Sequence, residues 1–223
     1  MDKDQFYDCH AHQVGTQYGG FLIALEDDNE EGISNSELRN MSLGKWFVPV
    51  EYVSKKFERT ESDIVKYHPR YEQYDVDSVI KDIVLRQPKG VIIDTLNEPY
   101  WEPNDYWMIA KKFPNISFLF SHAGGYKILD FIKICEFNHN VWLDFSYSQN
   151  FFGLIGDKLE LKAITDIMKY AFQSHLNDRI MFGSDFPGMN QKDCIDYYIA
   201  NVKEEIYKEN FLHFLNKVLK KEC

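Results

Sequence analysis

Residues 6–12 read Phe-Tyr-Asp-Cys-His-Ala-His, a short apolar stretch that ends in two histidines. Positions two apart on an extended segment point to the same side, so His10 and His12 would present their imidazoles together. Neutral imidazole is a common ligand for zinc and similar metals. Two histidines at this spacing also occur by chance in loops, but their position directly after a candidate strand favours a metal-binding function.

Seven further runs rich in β-branched or aromatic residues follow this stretch. Most lack the polar alternation of a one-sided sheet, which is typical of strands covered on both faces. The eight candidate strands are Phe6–Cys9, Phe21–Leu25, Trp46–Val53, Ile64–Tyr67, Val91–Ile93, Ile116–Phe120, Val141–Phe145 and Ile180–Phe182.

Helical periodicity lies between or after several of these strands. Ile128, Phe131, Ile132 and Cys135 form an i, i+3, i+4, i+7 stripe. The other helix candidates are Leu161–Phe172, Asp193–Val202 and about Lys203–Lys220. This alternation predicts an α/β protein, a (β/α)8 TIM-like barrel. Only Gln13–Gly20 separates the first two strands, too short for a helical crossover, so we expect a compact barrel with an irregular or shortened first half.

Length and composition limit the class of protein. The 223 residues include 44% hydrophobic residues and no linker or internal repeat, which predicts a single domain over residues 1–223. A net charge of -10 makes nucleic acid a poor partner. No apolar run approaches the roughly 20 residues that cross a bilayer, and the polar N-terminus lacks a signal-peptide pattern, so we expect no membrane partner and a cytoplasmic location. Four scattered cysteines without CxxC spacing favour free thiols over disulfides.

Two more chemically active residues follow predicted strands. His122 ends the sixth strand within Ser-His-Ala-Gly-Gly (121–125), where the alternative is a satisfied histidine in an ordinary turn. Asp185 follows the eighth strand within Arg-Ile-Met-Phe-Gly-Ser-Asp-Phe-Pro (179–187). An acidic residue there is placed to bind a metal or to take a proton from water, and the alternative is a helix N-cap.

Candidate substrate contacts occupy three segments. Lys66, His68 and Arg70 follow the fourth strand and would suit a carboxylate or phosphate, although a solvated basic turn is the alternative. Aromatic and polar residues mix in two later loops, 97–103 and 146–152, as they do in small-molecule pockets. The candidates in those loops are Tyr100, Trp101 and Ser146. An acidic run at 26–31 would instead disfavour anionic substrates, and the sequence leaves this conflict open.

In their order and spacing, these motifs resemble the amidohydrolase-related family that includes aminocarboxymuconate-semialdehyde decarboxylase and several lactonases. The motifs are DCHAH (8–12), IVKYHPRYEQY (64–74), SHAGG (121–125), RIMFGSDFP (179–187) and KENFLHFL (208–215). The resemblance implies that His10, His12 and Asp185 bind a divalent metal, most often zinc. It further implies that His122 and Asp185 are catalytic.

One position departs from the family pattern. The family places a histidine at the end of the fifth strand, where this sequence has Asp94 in Ile-Ile-Asp-Thr (92–95). Carboxylates also bind zinc, so Asp94 is predicted as a fourth ligand. Two carboxylates and two imidazoles would cancel the charge of the ion and would suit manganese or iron better. A barrel that has lost its metal is the other alternative.

Three functions therefore remain open. The first is a metal-dependent hydrolase that cleaves a C–O or C–N bond of a small lactone or amide through metal-activated water. The second is a metal-dependent decarboxylase of a small unsaturated or aromatic acid. The third is a catalytically silent barrel that binds a ligand or a partner protein. A small-molecule substrate is the expected partner, and a homodimer stays open because barrels of this type are often dimers.

Overall fold

In the computed structural model, eight parallel strands form one sheet in which each strand pairs with its neighbours in chain order. The structure describes residues 6–15, 19–25, 32–44, 46–96, 100–146, 158–201 and 204–219. The strands are β1 Tyr7–Ala11, β2 Gly19–Ile23, β3 Phe47–Val53, β4 Ile64–Tyr67, β5 Gly90–Asp94, β6 Ser117–Ser121, β7 Val141–Asp144 and β8 Ile180–Met181. All eight lie at the predicted places, so the predicted barrel is confirmed.

Helices connect most of the strands. They are α1 Asn35–Asn40, α2 Pro69–Glu72, α3 Val76–Arg86, α4 Pro103–Lys112, α5 Ile128–Phe137, α6 Lys158–Gln173, α7 Gln191–Asn201 and α8 Glu204–Leu219. The described residues between β1 and β2 contain no helix, and α1 is only six residues long. The irregular first half was therefore predicted correctly, whereas the sequence interpretation missed α3 and α4.

Two apolar layers lie on the two sides of the strands. One buried cluster takes residues from every strand, among them Ile64, Ile92 and Trp142, and therefore fills the barrel interior. The next residues along the same strands, such as Val65 and Ile93, belong to the cluster that packs beneath the helices. Successive strand residues alternate sides, so the positions two after the interior residues also face inward.

Helix α8 covers the N-terminal end of the barrel. Phe211 stacks on Tyr7, the first residue of β1, at 5.2 Å between ring centroids. Phe214 packs edge-on against Trp142 of the interior cluster at 5.4 Å. The side-chain amide of Asn210 hydrogen bonds to carbonyl oxygens beside the start of β8. The apolar face of α8 thus forms the floor of the barrel.

Backbone hydrogen bonds close the barrel between β1 and the segment after β8. Cys9 N donates to the carbonyl oxygen of Phe182 over 2.8 Å. The buried carboxylate of Asp8 strengthens this seam, because it accepts hydrogen bonds from the backbone and hydroxyl of Ser184 and from the side chain of Gln191. Burial raises the pKa of Asp8 to about 6, although these hydrogen bonds lower it.

Two further observations concern the whole described chain. None of its helices is long and apolar enough to span a bilayer. Cys9, Cys135 and Cys194 are buried free thiols, while Cys223 lies outside the described residues.

Candidate metal centre and substrate pocket

The interior of the barrel becomes polar at the C-terminal ends of its strands. On four strands, the residue two positions after the apolar interior residue is polar and faces inward. Each of these side chains is at most 3% exposed. These are Lys66 on β4, Asp94 on β5, Ser121 on β6 and Asp144 on β7. Active sites of (β/α)8 barrels lie at this end.

Three potential ligand atoms converge beside the seam. Nε2 of His10 and Nε2 of His12 each lie 3.4 Å from Oδ1 of Asp185, and the three atoms lie within 4.8 Å of one another. Around a tetrahedral zinc ion with ligand distances of about 2.0–2.1 Å, neighbouring ligand atoms are about 3.4 Å apart. Two of the three spacings in the group therefore match the edges of a tetrahedral site. Asp185 also adopts a φ of 63°, which is uncommon outside glycine and recurs at functional sites.

Hydrogen bonds on the far side of each imidazole fix the nitrogen that faces this group. Nδ1 of His12 lies 2.9 Å from the carbonyl oxygen of Ile23, which only accepts, so Nδ1 carries the proton. Nδ1 of His10 lies 3.0 Å from Oγ of Ser146 and 3.5 Å from Oδ2 of Asp144. Each Nε2 can then direct its lone pair into the group, as metal-binding histidines require.

The protonation states also fit a metal. Burial and, to a lesser extent, the charge of the nearby Lys66 lower the pKa of His10 to about 4. Burial would raise the pKa of the Asp185 carboxyl, but His10 and His12 hold it well below its usual range. At neutral pH the group therefore offers an ionised carboxylate and a neutral His10 imidazole, which are the forms that bind a divalent ion.

Asp94, also predicted as a ligand, faces a different set of partners. Its Oδ2 lies 3.2 Å from Nε2 of His122 and 3.4 Å from Nε2 of His68, and its Oδ1 lies 3.7 Å from Nε of Arg70. Burial would raise the pKa of Asp94, but His68 and His122 hold it well below its usual range. Asp94 is thus the anionic centre of a cluster beside the His10, His12 and Asp185 group.

His122 is held between two acceptors. Its Nδ1 lies 2.9 Å from the carbonyl oxygen of Ser146, and its Nε2 faces the Asp94 carboxylate. Both ring nitrogens therefore carry hydrogens, and His122 is an imidazolium. Burial lowers the pKa of His122, but the hydrogen bond to Asp94 raises it above its ordinary value. His122 can consequently donate a proton.

Asp144 is a site residue that the sequence interpretation missed. Its Oδ1 accepts hydrogen bonds from the backbone N–H groups of His122 (3.1 Å) and Ser146 (3.0 Å) and from the Ser146 hydroxyl. Although burial raises its pKa, the hydrogen bond to His10 and neighbouring groups hold it at about 2. The available signal was an acidic residue at the end of the apolar run of β7, in the same relation to its strand as Asp94.

Ser146 supports the two histidines from behind. It is 1% exposed, and its Oγ lies 3.0 Å from Nδ1 of both His10 and His122. These are the sides of the imidazoles that face away from Asp185 and Asp94. The structure therefore places Ser146 beneath the ligand group, whereas the sequence had predicted contact with substrate.

Lys66 lies directly against the ligand group. Its Nζ is 2.9 Å from Nε2 of His10, and the residue is 1% exposed. Burial lowers the pKa of Lys66 below its ordinary value, whereas the carboxylates of Asp94, Asp185 and Asp144 favour its charged form.

Two of the predicted substrate contacts form a stack at the rim. The rings of His68 and Tyr71 stack at 4.0 Å, and the guanidinium of Arg70 lies 4.8 Å from the centroid of Tyr71. Within the described part of the chain, the buried Nδ1 of His68 and Nε of Arg70 have no hydrogen-bond partner. Tyr71, which the sequence interpretation did not select, thus contacts both His68 and Arg70.

A cavity of about 110 Å³ opens between these groups. Its polar lining consists of His12, Lys66, His68, Arg70, Asp94, His122 and Asp185. Neither Tyr100 nor Trp101 lines it: Tyr100 is 48% exposed, and Trp101 is buried with its Nε1 donating to the carbonyl oxygen of Tyr74. The acidic run 26–31, residues 97–99 and residues 147–152 lie outside the described residues.

The protein is a (β/α)8 barrel with a His/Asp group at the C-terminal ends of its strands that could hold a divalent ion. A family model described as amidohydrolase matches residues 90–208, slightly more than half of the chain, so the protein belongs to the amidohydrolase family. The matched segment contains Asp94, His122, Asp144 and Asp185. Proteins of this superfamily typically use a divalent metal. Comparison with curated proteins gave no match.

Solved structures show the same architecture. An uncharacterized TIM-barrel protein from Bordetella bronchiseptica aligns with a TM-score of 0.72 and 17% identity, covering 91% of this chain and 79% of that one. A probable 2-pyrone-4,6-dicarboxylic acid hydrolase from Acinetobacter baumannii, with citric acid bound, aligns with a TM-score of 0.57 and 11% identity, covering 95% and 99%. At these identities the likeness establishes the fold alone.

Proposed function

We propose that this protein is a metal-dependent hydrolase that cleaves a C–O or C–N bond in a small lactone or amide bearing a carboxylate. The observation that carries the proposal is the 3.4 Å spacing of the His10, His12 and Asp185 ligand atoms. Two imidazoles and one carboxylate suit zinc, and manganese or iron can also use such ligands. Because Asp94 faces other partners, a bound divalent ion would keep a net positive charge and remain an effective Lewis acid.

The proton-transfer roles follow from the neighbours of two residues. A divalent ion in this site would activate water and polarise the scissile carbonyl group. Asp185 is ionised and lies in the ligand group, so it accepts the proton from water. His122 is protonated on both nitrogens, so it donates a proton to the leaving oxygen or nitrogen. Environments that push two pKa values apart separate the base from the acid.

The substrate class follows from the cationic lining of the cavity. Arg70 lines the cavity, and its buried Nε has no hydrogen-bond partner among the described residues. A substrate carboxylate there would supply the acceptor that this donor lacks, and arginine is well suited to bind carboxylates. The name of the Acinetobacter protein supports this class, because a 2-pyrone is a cyclic ester and the dicarboxylic acid carries two carboxylates.

Metal loading followed by ester hydrolysis tests the proposal. Protein loaded with Zn²⁺, Mn²⁺ or Fe²⁺ should bind the ion stoichiometrically and hydrolyse carboxylated lactones in preference to uncharged ones. Asp185→Asn should lose the bound metal and about 100-fold or more of the rate. Asp193→Asn removes an exposed carboxylate eight residues later and should change neither. If wild-type protein binds none of the three ions stoichiometrically, the proposal is wrong.

Decarboxylation of a small acid is the second candidate function. The observation that favours it is that Lys66, His68 and Arg70 all line the cavity, where they could hold a carboxylate beside a protonated His122. Isotopes separate the two reactions. Hydrolysis in H₂¹⁸O places one heavy oxygen in the product, whereas decarboxylation in D₂O releases CO₂ and places deuterium on the carbon that lost it.

A further inference from the structure

Lys66 contacts one atom of the candidate metal centre. Its Nζ lies 2.9 Å from Nε2 of His10, the same nitrogen that lies 3.4 Å from Asp185. An ammonium group has three donors and no acceptor, so the hydrogen bond uses the lone pair of His10 Nε2. Since Nδ1 of His10 already faces Ser146 and Asp144, no second lone pair remains on the ring.

We propose that Lys66 is a built-in competitor of the metal: its ammonium group takes the cation position beside His10, and a divalent ion binds only when Lys66 withdraws. The inference rests on the proposed function, because it concerns the same ligand group. It assigns to Lys66 control over the affinity of the site, a role distinct from binding a substrate carboxylate.

The charges around Lys66 explain why the barrel can contain such a group. Asp94 and Asp185 line the same cavity as Lys66, and Asp144 lies 3.5 Å from Nδ1 of His10. Buried carboxylates need cations nearby, and an ammonium group on Lys66 adds to the compensation that His122 and Arg70 give Asp94. Lys66 is 1% exposed beside them. A divalent ion would supply the same compensation, so the lysine and the ion are alternatives.

A Lys66 side chain displaced from His10 would still have a carboxylate nearby. The carboxylate of Asp94 borders the same cavity as Lys66, and both residues line its wall. Lys66 can therefore leave His10 and still remain next to a carboxylate inside the pocket. The net cost of metal binding then includes the hydrogen bond between Lys66 and His10, and a hydrogen bond to a charged group corresponds to roughly 10- to 100-fold in affinity.

Zinc affinity of a charge-removing variant tests the inference without any substrate. Lys66→Met keeps an unbranched side chain that suits a buried site and removes the ammonium group. Zinc dissociation constants are measured by competition with a chromophoric chelator, with circular dichroism to verify folding. Lys66→Gln serves if the methionine variant does not fold. Lys89→Met is the control, because Lys89 is a half-exposed lysine paired with Asp63 away from the site.

We expect Lys66→Met to bind zinc about tenfold or more tightly than wild type, and Lys89→Met to match wild type. Equal or weaker binding by Lys66→Met would overturn the inference and would leave the proposed hydrolase unaffected if wild type binds zinc. If Lys66→Met binds zinc and wild type does not, the inference is supported. The proposed function would then lose its metal, because the wild-type protein would not hold the ion. Absence of binding by both proteins would overturn both.

Discussion

The floor of the barrel offers a direct test of how the fold is stabilised. Phe214 of α8 is fully buried, and its ring packs edge-on against Trp142 at 5.4 Å and against Phe21 at 5.7 Å. Replacing it with alanine removes the ring from the centre of the interior cluster. The surrounding strands are joined by continuous hydrogen bonding, so they cannot collapse far into the space that remains.

Two contributions set the expected loss of stability. The lost burial of the ring corresponds to about 2 kcal/mol. A cavity of roughly 100 Å³ at about 24 cal/mol per Å³ adds about 2.4 kcal/mol. The sum, about 4 kcal/mol, lies within the usual range of about 3–5 kcal/mol for such substitutions. For a chain of this length, that loss lowers Tm by about 8–16 °C.

Thermal and urea denaturation measure the effect. Phe137→Ala is the matched control, because Phe137 is 77% exposed at the end of α5, and its loss should change stability by less than about 0.5 kcal/mol. Zinc affinity of folded Phe214→Ala should equal that of wild type, since the site lies at the other end of the barrel. A loss below about 1 kcal/mol, or one no larger than that of the control, would show that α8 is not the floor that supports the interior.

Three other predictions concern the site and the core. Asp144→Asn should weaken zinc binding by about 10- to 100-fold in a chelator competition, because the carboxylate orients His10; an unchanged affinity would contradict that role. Arg70→Met should weaken calorimetric binding of malonate by about tenfold or more, whereas equal binding would remove Arg70 from the anion contacts. Burial raises the pKa of Cys135 to about 12 from 9.0, so its thiol should resist modification until the protein unfolds. The stability from this protonated thiol is present below pH 9.0 and is lost as pH rises toward 12; rapid labelling of the folded protein would contradict the burial.

The strands were predictable because their apolar runs are short and continuous. The residues at which they begin and end were not predictable. The second strand was predicted to begin at Phe21, whereas β2 begins at Gly19. Glycine is depleted in strands, so its presence indicated a turn. Here it is required by close packing: a Cβ on Gly20 would lie 1.9 Å from the carbonyl oxygen of Asp8, and its φ is +135°. Such contacts between strands do not appear in a local pattern.

The two helices that the sequence interpretation missed, α3 and α4, both carry local helix signals. Helix α3 contains several β-branched residues, which favour strands, yet Asp75 caps its N-terminus by accepting a hydrogen bond from Ser78. Helix α4 begins with Pro103, a residue well suited to the first turn. In both helices the apolar residues recur at helical spacing, and the tertiary contact with the strands overrides weak local propensity.

Individual residues of the candidate site could be proposed from the sequence. Which of them lie next to one another could not. His10, His12 and Asp185 could be proposed from their positions at strand ends. The pairing of Lys66 with His10 joins residues 56 positions apart and depends on where each strand ends in the closed barrel. For the same reason, the sequence placed Asp94 with the metal ligands, whereas the structure places it next to His122.

The closing seam has a consequence for protein synthesis. The hydrogen bonds from Ser184 to Asp8 join residues 176 positions apart, and the candidate metal ligands come from the same two segments of the chain. At roughly 5–20 residues per second, a ribosome completes this distance in roughly 10–35 s. Throughout that interval, the nascent chain carries both histidines without the carboxylate that completes their ligand group. A metal that bound this three-residue group would therefore meet its complete ligand set only after Asp185 had been translated.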